Sequence, residues 1–391
     1  VKLRPVTRAV RAGVESDLQH GAVMPALHLS SNFAFAGFAR KRTYDYTRSG
    51  NPTRDLLAEA LAELEGGAGA VVTSTGMSAI ALVLQLLRPG ELVVAPHDGY
   101  GGTWRLLRAL AAKRHFEVEL VDQGDPAAVA SALARHPRLL WIETPSNPLL
   151  RICDLAELAR AGHAAGALVV ADNTFLSPLL QRPLELGADL VVHSTTKYLN
   201  GHGDVVGGAV VPATRELQQE LAWWANCLGL TGAPFDSFLT LRGVRTLAAR
   251  MRVHEENAQR VARALAANAA VARVHYPGLE SDPGHALARR QQAGFGGMLS
   301  FELVARPGAV EAFLDGLRCF SLAESLGGVE SLVAHPATMT HASMDAAARA
   351  RAGIAHELLR LSVGIEDGDD LLLDLAAACA RVEALARSRL C

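Results

Sequence analysis

The sequence predicts an α/β protein: a doubly wound domain with a mostly parallel sheet, followed by a smaller α+β domain. Three observations carry this prediction. Short β-rich apolar runs alternate with helical periods through the middle of the chain. Runs such as Leu168-Val169-Val170-Ala171 are apolar at every position, as parallel strands buried between helix layers must be. After Arg245 the texture changes to a long helical stretch and then turn clusters. A length of 391 residues suits two or three domains, each able to bury a core without disulfides or metals.

Residues 1–50 lack strong periodicity and end in Tyr44-Asp45-Tyr46-Thr47-Arg48-Ser49-Gly50. An arm of that length with few core signals is expected to pack on another domain or subunit. Asn51 is a fitting N-cap and Pro52 a fitting first helical residue. Leu56, Leu57, Ala60, Leu61 and Leu64 then repeat at helical spacing until Gly66-Gly67 stops the run. Strands are predicted at 70–73, 91–95, 116–121, 139–143, 168–171, 190–193 and 208–211, with helices over 104–113, 127–135 and 155–165. This domain is placed at 51–245. A helix over 246–268 opens the smaller domain, 246–391. The turn clusters Tyr276-Pro277-Gly278 and Asp282-Pro283-Gly284 follow, then a strand at 298–304 and closing helices.

Composition narrows the function. The 38 basic and 40 acidic residues leave a net charge of −2 with no clustered basic face, unlike a nucleic-acid binder. Aromatics are only 5% of residues, whereas 35 glycines suggest tight turns and close backbone approaches to a ligand. The five cysteines (153, 227, 319, 379 and 391) form no C-x-x-C pair, which fits a reducing compartment and argues against a cysteine-based zinc site. The start, Val1-Lys2-Leu3-Arg4-Pro5, carries no apolar leader, and no run reaches the ~18–20 apolar residues of a membrane span. The expectation is a cytoplasmic protein without membrane or nucleic-acid partners.

In doubly wound sheets, ligands bind beyond the C-terminal strand ends. Asp172-Asn173, Ser194-Thr195-Thr196-Lys197, Ser74-Thr75-Gly76-Met77, Glu143-Thr144-Pro145-Ser146-Asn147-Pro148 and His97-Asp98-Gly99-Tyr100-Gly101 all fall there. Singly, each has an ordinary reading. Lys197 suits a solvated loop, Asp172 a turn cap, Ser-Thr-Gly an N-cap and Tyr100 a packing aromatic. Together they match the needs of pyridoxal phosphate: a helix start for the phosphate, a lysine for the Schiff base and a carboxylate for the pyridinium nitrogen. A dinucleotide site is weaker, because Gly201-His202-Gly203-Asp204-Val205-Val206-Gly207 misses G-x-G-x-x-G by one residue and precedes a strand. Neither G-x-x-x-x-G-K-[ST] nor H-E-x-x-H occurs, and no metal site is expected.

These residues resemble the cystathionine γ-synthase group of pyridoxal-phosphate enzymes, which act on cysteine, homoserine and methionine precursors. The likeness rests on Tyr46-Thr47-Arg48-Ser49-Gly50-Asn51-Pro52, Ser74-Thr75-Gly76-Met77-Ser78-Ala79, Asp172-Asn173-Thr174, His193-Ser194-Thr195-Thr196-Lys197-Tyr198 and Ala323-Glu324-Ser325-Leu326-Gly327-Gly328. It extends to Leu221-Ala222-Trp223-Trp224-Ala225-Asn226 and Thr338-Met339-Thr340-His341. The resemblance implies a fold-type I, aspartate-aminotransferase-like architecture and a homotetramer of dimers with shared active sites.

It also implies roles for matching positions. Lys197 would hold the cofactor and shuttle protons, with Tyr100, stacked on the ring, as the other catalytic residue. Asp172 would pair with the ring nitrogen, while Gly76, Met77, Ser194 and Thr196 cradle the phosphate. Tyr46 and Arg48 would complete that cradle from a neighbouring subunit. Arg360 would fork onto the substrate α-carboxylate beside Asn147 and Ser325. Glu324, Arg105 and Asp45 would serve the rest of the substrate.

The implied activity is γ-replacement, joining an O-acylated homoserine (O-succinylhomoserine foremost) to cysteine in methionine biosynthesis by transsulfuration. One departure points the other way: Ser49 stands where a second arginine is common in the synthases, as in many γ-lyases. Cystathionine γ-lyase activity is therefore the alternative, and a catalytically silent binding protein the third.

Overall fold

The computed structural model describes residues 3–342 and 344–387; Val1, Lys2 and Cys391 lie outside the described residues. The arm opens with a helix, Pro5–Arg11, that packs against the long helix Pro234–Ala266 of its own chain. Its Arg8 is buried and donates to the Glu63 carbonyl at 2.5 Å. Asn51 caps the helix Pro52–Glu65, its side chain accepting from the Thr53 and Arg54 amides at 2.9 and 3.3 Å. Gly66, at φ 83°, ends that helix in the left-handed conformation that glycine adopts without strain.

Seven strands form the first sheet: β1 (Val71–Thr73), β2 (Leu92–Pro96), β3 (Glu117–Val121), β4 (Leu139–Glu143), β5 (Leu168–Asp172), β6 (Leu190–His193) and β7 (Gly208–Pro212). Their order is β1-β7-β6-β5-β4-β2-β3, and only β7 runs antiparallel to its neighbours. Successive residues of a strand enter opposite layers. Leu139 and Trp141 join Val170 and Val192 in one core, while Leu140 and Ile142 join Val169 and Ala171 in the other. Each fully buried valine, leucine or isoleucine among them is worth about 1.5–3 kcal/mol. Apolarity at every position is the direct consequence of this two-sided burial.

The second sheet contains β8 (Val271–His275), β9 (Met298–Leu303), β10 (Phe320–Leu322), β11 (Ser331–Ala334) and β12 (Leu358–Ser362). It runs β10-β11-β12-β9-β8 and is antiparallel except between β10 and β11. Phe301 and Leu359 from this sheet, Val261 from the long helix and Leu375 from the helix Gly368–Arg387 share its core. The helix Pro234–Ala266 starts well before the stretch expected at 246 and passes unbroken through residue 245. The change of texture at 245 therefore falls inside an element that serves both sheets. No helix among the described residues is long and apolar enough to cross a membrane.

Candidate active site

A cavity of about 540 Å³ opens at the C-terminal ends of β4, β5 and β6, where β12 and the loop before β11 close over them. Its wall includes Gly76, Met77, Tyr100, Arg105, Asn147, Asp172, Ser194, Thr196, Lys197, Glu324, Ser325 and Arg360. The structure thus brings together twelve of the fifteen residues singled out in the sequence.

One end suits an anion. Thr75 caps the helix Gly76–Val83, its hydroxyl accepting from the Ser78 amide at 2.8 Å. The first-turn amides of a helix have no partner within it and carry the positive end of its dipole. A Cβ on Gly76 would stand 2.7 Å from Ser194 Cβ and 3.0 Å from its Cα, so only glycine lets this helix start meet the Ser194 turn. Ser194 is itself set by the hydrogen bond that its backbone N–H donates to the Thr174 hydroxyl at 2.9 Å. The Thr196 hydroxyl accepts from the Gly207 amide at 2.9 Å.

Asp172 ends β5, and its carboxylate accepts from the Thr174 amide at 3.0 Å. Burial raises its pKa, while the Thr174 hydrogen bonds and the His193 imidazole oppose the rise. Lys197 follows β6, and its Nζ donates to the Ser325 hydroxyl at 2.6 Å. Burial foremost, and then the charge of Arg360, lowers its pKa to about 8, with Glu324 opposing. Ser325 has φ 89°, a backbone state that costs a non-glycine residue about 1–3 kcal/mol and is found where the surroundings enforce it. Two residues on, Gly327 packs so tightly on the chain after Lys197 that a Cβ there would meet the Tyr198 amide nitrogen at 2.8 Å.

Arg360 stands in the fully buried strand β12, registered against Ala334 and Ser300. Its Nη1 donates to Asn147 Oδ1 at 2.8 Å and its Nη2 to the Ser325 carbonyl at 2.9 Å, while Nε finds no partner among the described residues. Burial lowers its pKa to about 10. A buried guanidinium with no carboxylate within ion-pair distance among the described residues is an incomplete arrangement that an anionic ligand would complete. Behind it, His341 Nε2 lies 3.0 Å from the Asn147 carbonyl, and burial drops that imidazole to about 4, leaving it neutral.

Tyr100 precedes the helix Gly101–Ala112, which also carries Arg105. A Cβ on Gly102 would come within 2.5 Å of the Tyr100 ring and 2.9 Å of the Met77 sulfur, so the ring lies flush against its own helix start.

Three expected residues stand outside the cavity of their own chain. Arg48 lies 5.5 Å over the Tyr46 ring and donates to the Asn226 carbonyl at 2.7 Å. Asp45 is engaged by Lys41 at 2.8 Å and by the Ser49 hydroxyl at 2.8 Å, which hold its pKa down to about 2. Sequence reasoning also gave no role to Glu143, a buried cavity residue. Its signals were its place among the strand-end segments and an acidic side chain closing the apolar run Leu139-Leu140-Trp141-Ile142.

These features fit pyridoxal phosphate on the structure's own terms: a glycine-walled anion cradle, a buried carboxylate, a lysine of lowered pKa and an unpaired buried guanidinium, all facing one cavity. The match to known proteins agrees. Residues 6–380 match the model for "Cys/Met metabolism PLP-dependent enzyme". Cystathionine γ-synthase of Escherichia coli (strain K12) is 56% identical over 373 residues, spanning 95% of this chain and 97% of the relative. The crystal structure of cystathionine γ-synthase from Xanthomonas oryzae pv. oryzae in complex with cystathionine is 64% identical. It superposes with a TM-score of 0.97 over 98% of this chain and 100% of the other. Cystathionine γ-lyase from Lactobacillus plantarum, solved with L-serine, is 39% identical with a TM-score of 0.94, covering 97% and 100% of the two chains. The chain belongs to the Cys/Met metabolism PLP-dependent enzyme family.

Proposed function

We propose, from this family membership, that the protein catalyses γ-replacement, converting an O-acylated homoserine and L-cysteine to cystathionine and the free acid. O-succinylhomoserine is the favoured acyl substrate. The observation that carries the reading is a single cavity holding Lys197 beside Ser325 and Arg360, with Glu324 and Arg105 on its wall. When bound, pyridoxal phosphate supplies an aldehyde for a lysine and a ring that withdraws electrons from the substrate α-carbon.

The chain's own residues then have separable tasks. Gly76, Met77, Ser194 and Thr196 would hold the phosphate, Tyr100 would cover the ring and Asp172 would keep the proton on its nitrogen. Arg360, steadied by Asn147 and the Ser325 carbonyl, takes the substrate α-carboxylate with its remaining donors. The Lys197 amine, with its pKa lowered to about 8, is partly neutral near physiological pH and can accept the Cα proton. Arg105, on the cavity wall, would offer a cation to the distal carboxylate of a succinyl group, and Glu324, on the same wall, is assigned to the γ-carbon chemistry. In the net reaction the Cγ–O bond breaks, a Cγ–S bond forms and the thiol proton is released.

Tyr46, Arg48 and Asp45 lie outside their own chain's cavity. We assign them to the site of a neighbouring copy, in a homotetramer built from dimers that share sites, located in the cytoplasm. The division into an arm (1–50), a cofactor domain (51–245) and a C-terminal domain (246–391) is retained as a functional one. The arm reaches across, the middle holds the cofactor and the last part supplies Arg360.

Steady-state assays with O-succinylhomoserine plus cysteine, set against cystathionine alone, test the reading. The expected result is a higher kcat/KM for the replacement. More efficient cleavage of cystathionine to cysteine and 2-oxobutanoate would overturn it in favour of γ-lyase, the reading that Ser49 favours by occupying Asp45 where an arginine would offer a cation.

A further inference from the structure

We propose that Glu143 is a positioning residue of this site: one carboxylate fixes Tyr100 and Asn147 together in a single clamp. The proposal deepens the reading above and rests on it. Glu143 is the last residue of β4 and pairs in register with Asp172 at the end of β5, so the two carboxylates stand side by side on the cavity wall. Its Oε2 accepts from the Tyr100 amide at 2.8 Å and its Oε1 from the Asn147 amide at 3.1 Å. Both oxygens are thus committed to backbone N–H groups of two different loops.

Those loops lead to opposite ends of the chemistry. On one side the bond sets the residue proposed to cover the cofactor ring, in a loop so close that a Cβ on Gly99 would stand 3.0 Å from Oε2. On the other side the chain of contacts runs from Asn147 Oδ1 to Arg360, from Arg360 to the Ser325 carbonyl, and from the Ser325 hydroxyl to Lys197 Nζ. A tilt of Glu143 would therefore shift the ring cover and the substrate-carboxylate fork in concert.

A carboxylate is a costly way to hold two amides. Glu143 is 7% exposed and has no cation within ion-pair distance among the described residues. Burial, and then the charge of Asp172, raises its pKa, while the two amide hydrogen bonds resist the rise. Only a carboxylate accepts at two oxygens without offering a donor in return. Glutamine has the same volume, but its amide nitrogen would face one of the two N–H groups.

The test compares Glu143→Gln and Glu143→Asp with the unsubstituted holoenzyme, reading cofactor circular dichroism in the visible, pyridoxal-phosphate affinity, KM and kcat. Glu143→Gln is expected to weaken or reshape the visible band and raise the KM for the amino-acid substrate, with kcat/KM falling at least about tenfold. Glu143→Asp keeps the charge but is one methylene short of holding both amides, and the same changes should appear at smaller amplitude. A role in stability alone would lower the melting temperature and leave the band and KM of the folded protein unchanged. That result, in either variant, overturns the proposal. If the unsubstituted protein shows no visible band with pyridoxal phosphate, the site assignment itself has failed instead.

Discussion

Burial and the neighbouring Arg360 charge bring the Lys197 amine from an ordinary value near 10.5 down to about 8, and that shift is also a statement about stability. Between pH 8 and 10.5 the unfolded lysine carries a proton that the folded one has lost, so native stability rises with pH across this window. Below pH 8 the folded chain bears the full cost of a half-buried cation, no more than about 3 kcal/mol. Lys197→Met removes that cost along with the base. We expect the variant to lack turnover with pyridoxal phosphate supplied, and its apoprotein to be more stable than the unsubstituted apoprotein, most at pH 7, with the difference narrowing towards pH 10. Denaturant midpoints of both proteins at pH 7 and 9.5 measure this; a difference independent of pH would show that the lysine is not held below its ordinary pKa. Lys197 and Asp172 were legible in the sequence because Asp172 closes one buried strand and Lys197 lies in the short turn after another. Arg360 was not: it lies inside an apolar strand, and only resemblance to a family pointed to it. Glu143 escaped for another reason, since its partners are backbone amides at Tyr100 and Asn147, which no side-chain pattern announces.

Among the elements, β2, β4, β6 and β7 were legible almost to the residue, because burial on both faces demands continuous apolar runs. In the second sheet, β10 is three residues long and β12 carries Arg360 in its middle, so neither advertised itself. The long helix was read from Thr246 onward because its first turns contain Ser237, Thr240 and Gly243, which weaken an apolar periodicity. Packing explains those choices. A Cβ on Gly243 would stand 2.1 Å from the Asn200 carbonyl oxygen and 2.8 Å from that of Leu199, in the turn that follows Lys197. Arg250, one helical face along, ties the same turn by donating to the Tyr198 carbonyl at 2.9 Å and to the Gly243 carbonyl at 2.7 Å. Helix propensity alone says that Gly243→Ala should stabilise by up to about 1 kcal/mol. The backbone contact should win, because a carbonyl cannot rotate away as a side chain can. We expect the variant to lose about 2 kcal/mol or more, read as a fall in the midpoint of thermal or denaturant unfolding, with reduced cofactor retention. An unchanged or higher midpoint would mean that the helix shifts freely against the Lys197 turn.

At the scale of the whole molecule, a single chain looks unfinished at its arm. Leu18 and Phe38 are fully exposed and Leu29 is 65% exposed, all on a segment whose later residues, Tyr46 and Arg48, are proposed for a phosphate cradle yet do not line the cavity of their own chain. Exposed apolar side chains concentrated on one segment suit a surface covered by another copy of the chain. If the arm of one protomer completes the site of its neighbour, two differently damaged chains can repair each other. In a dimer of Lys197→Ala with Arg48→Ala, one site combines an intact Lys197 with the intact Arg48 of the other chain, and the second site carries both lesions. Random pairing of equal amounts makes half of the dimers mixed, each with one working site, so the preparation should recover roughly a quarter of the unsubstituted activity. Each variant alone should be far below that level. Co-expression with two affinity tags and a γ-replacement assay measure this: about a quarter is expected in the unfractionated preparation and about half in isolated mixed dimers. No recovery in isolated mixed assemblies would place Arg48 in the service of its own chain and end the shared-site reading, while leaving the Lys197 cavity intact as the seat of the chemistry.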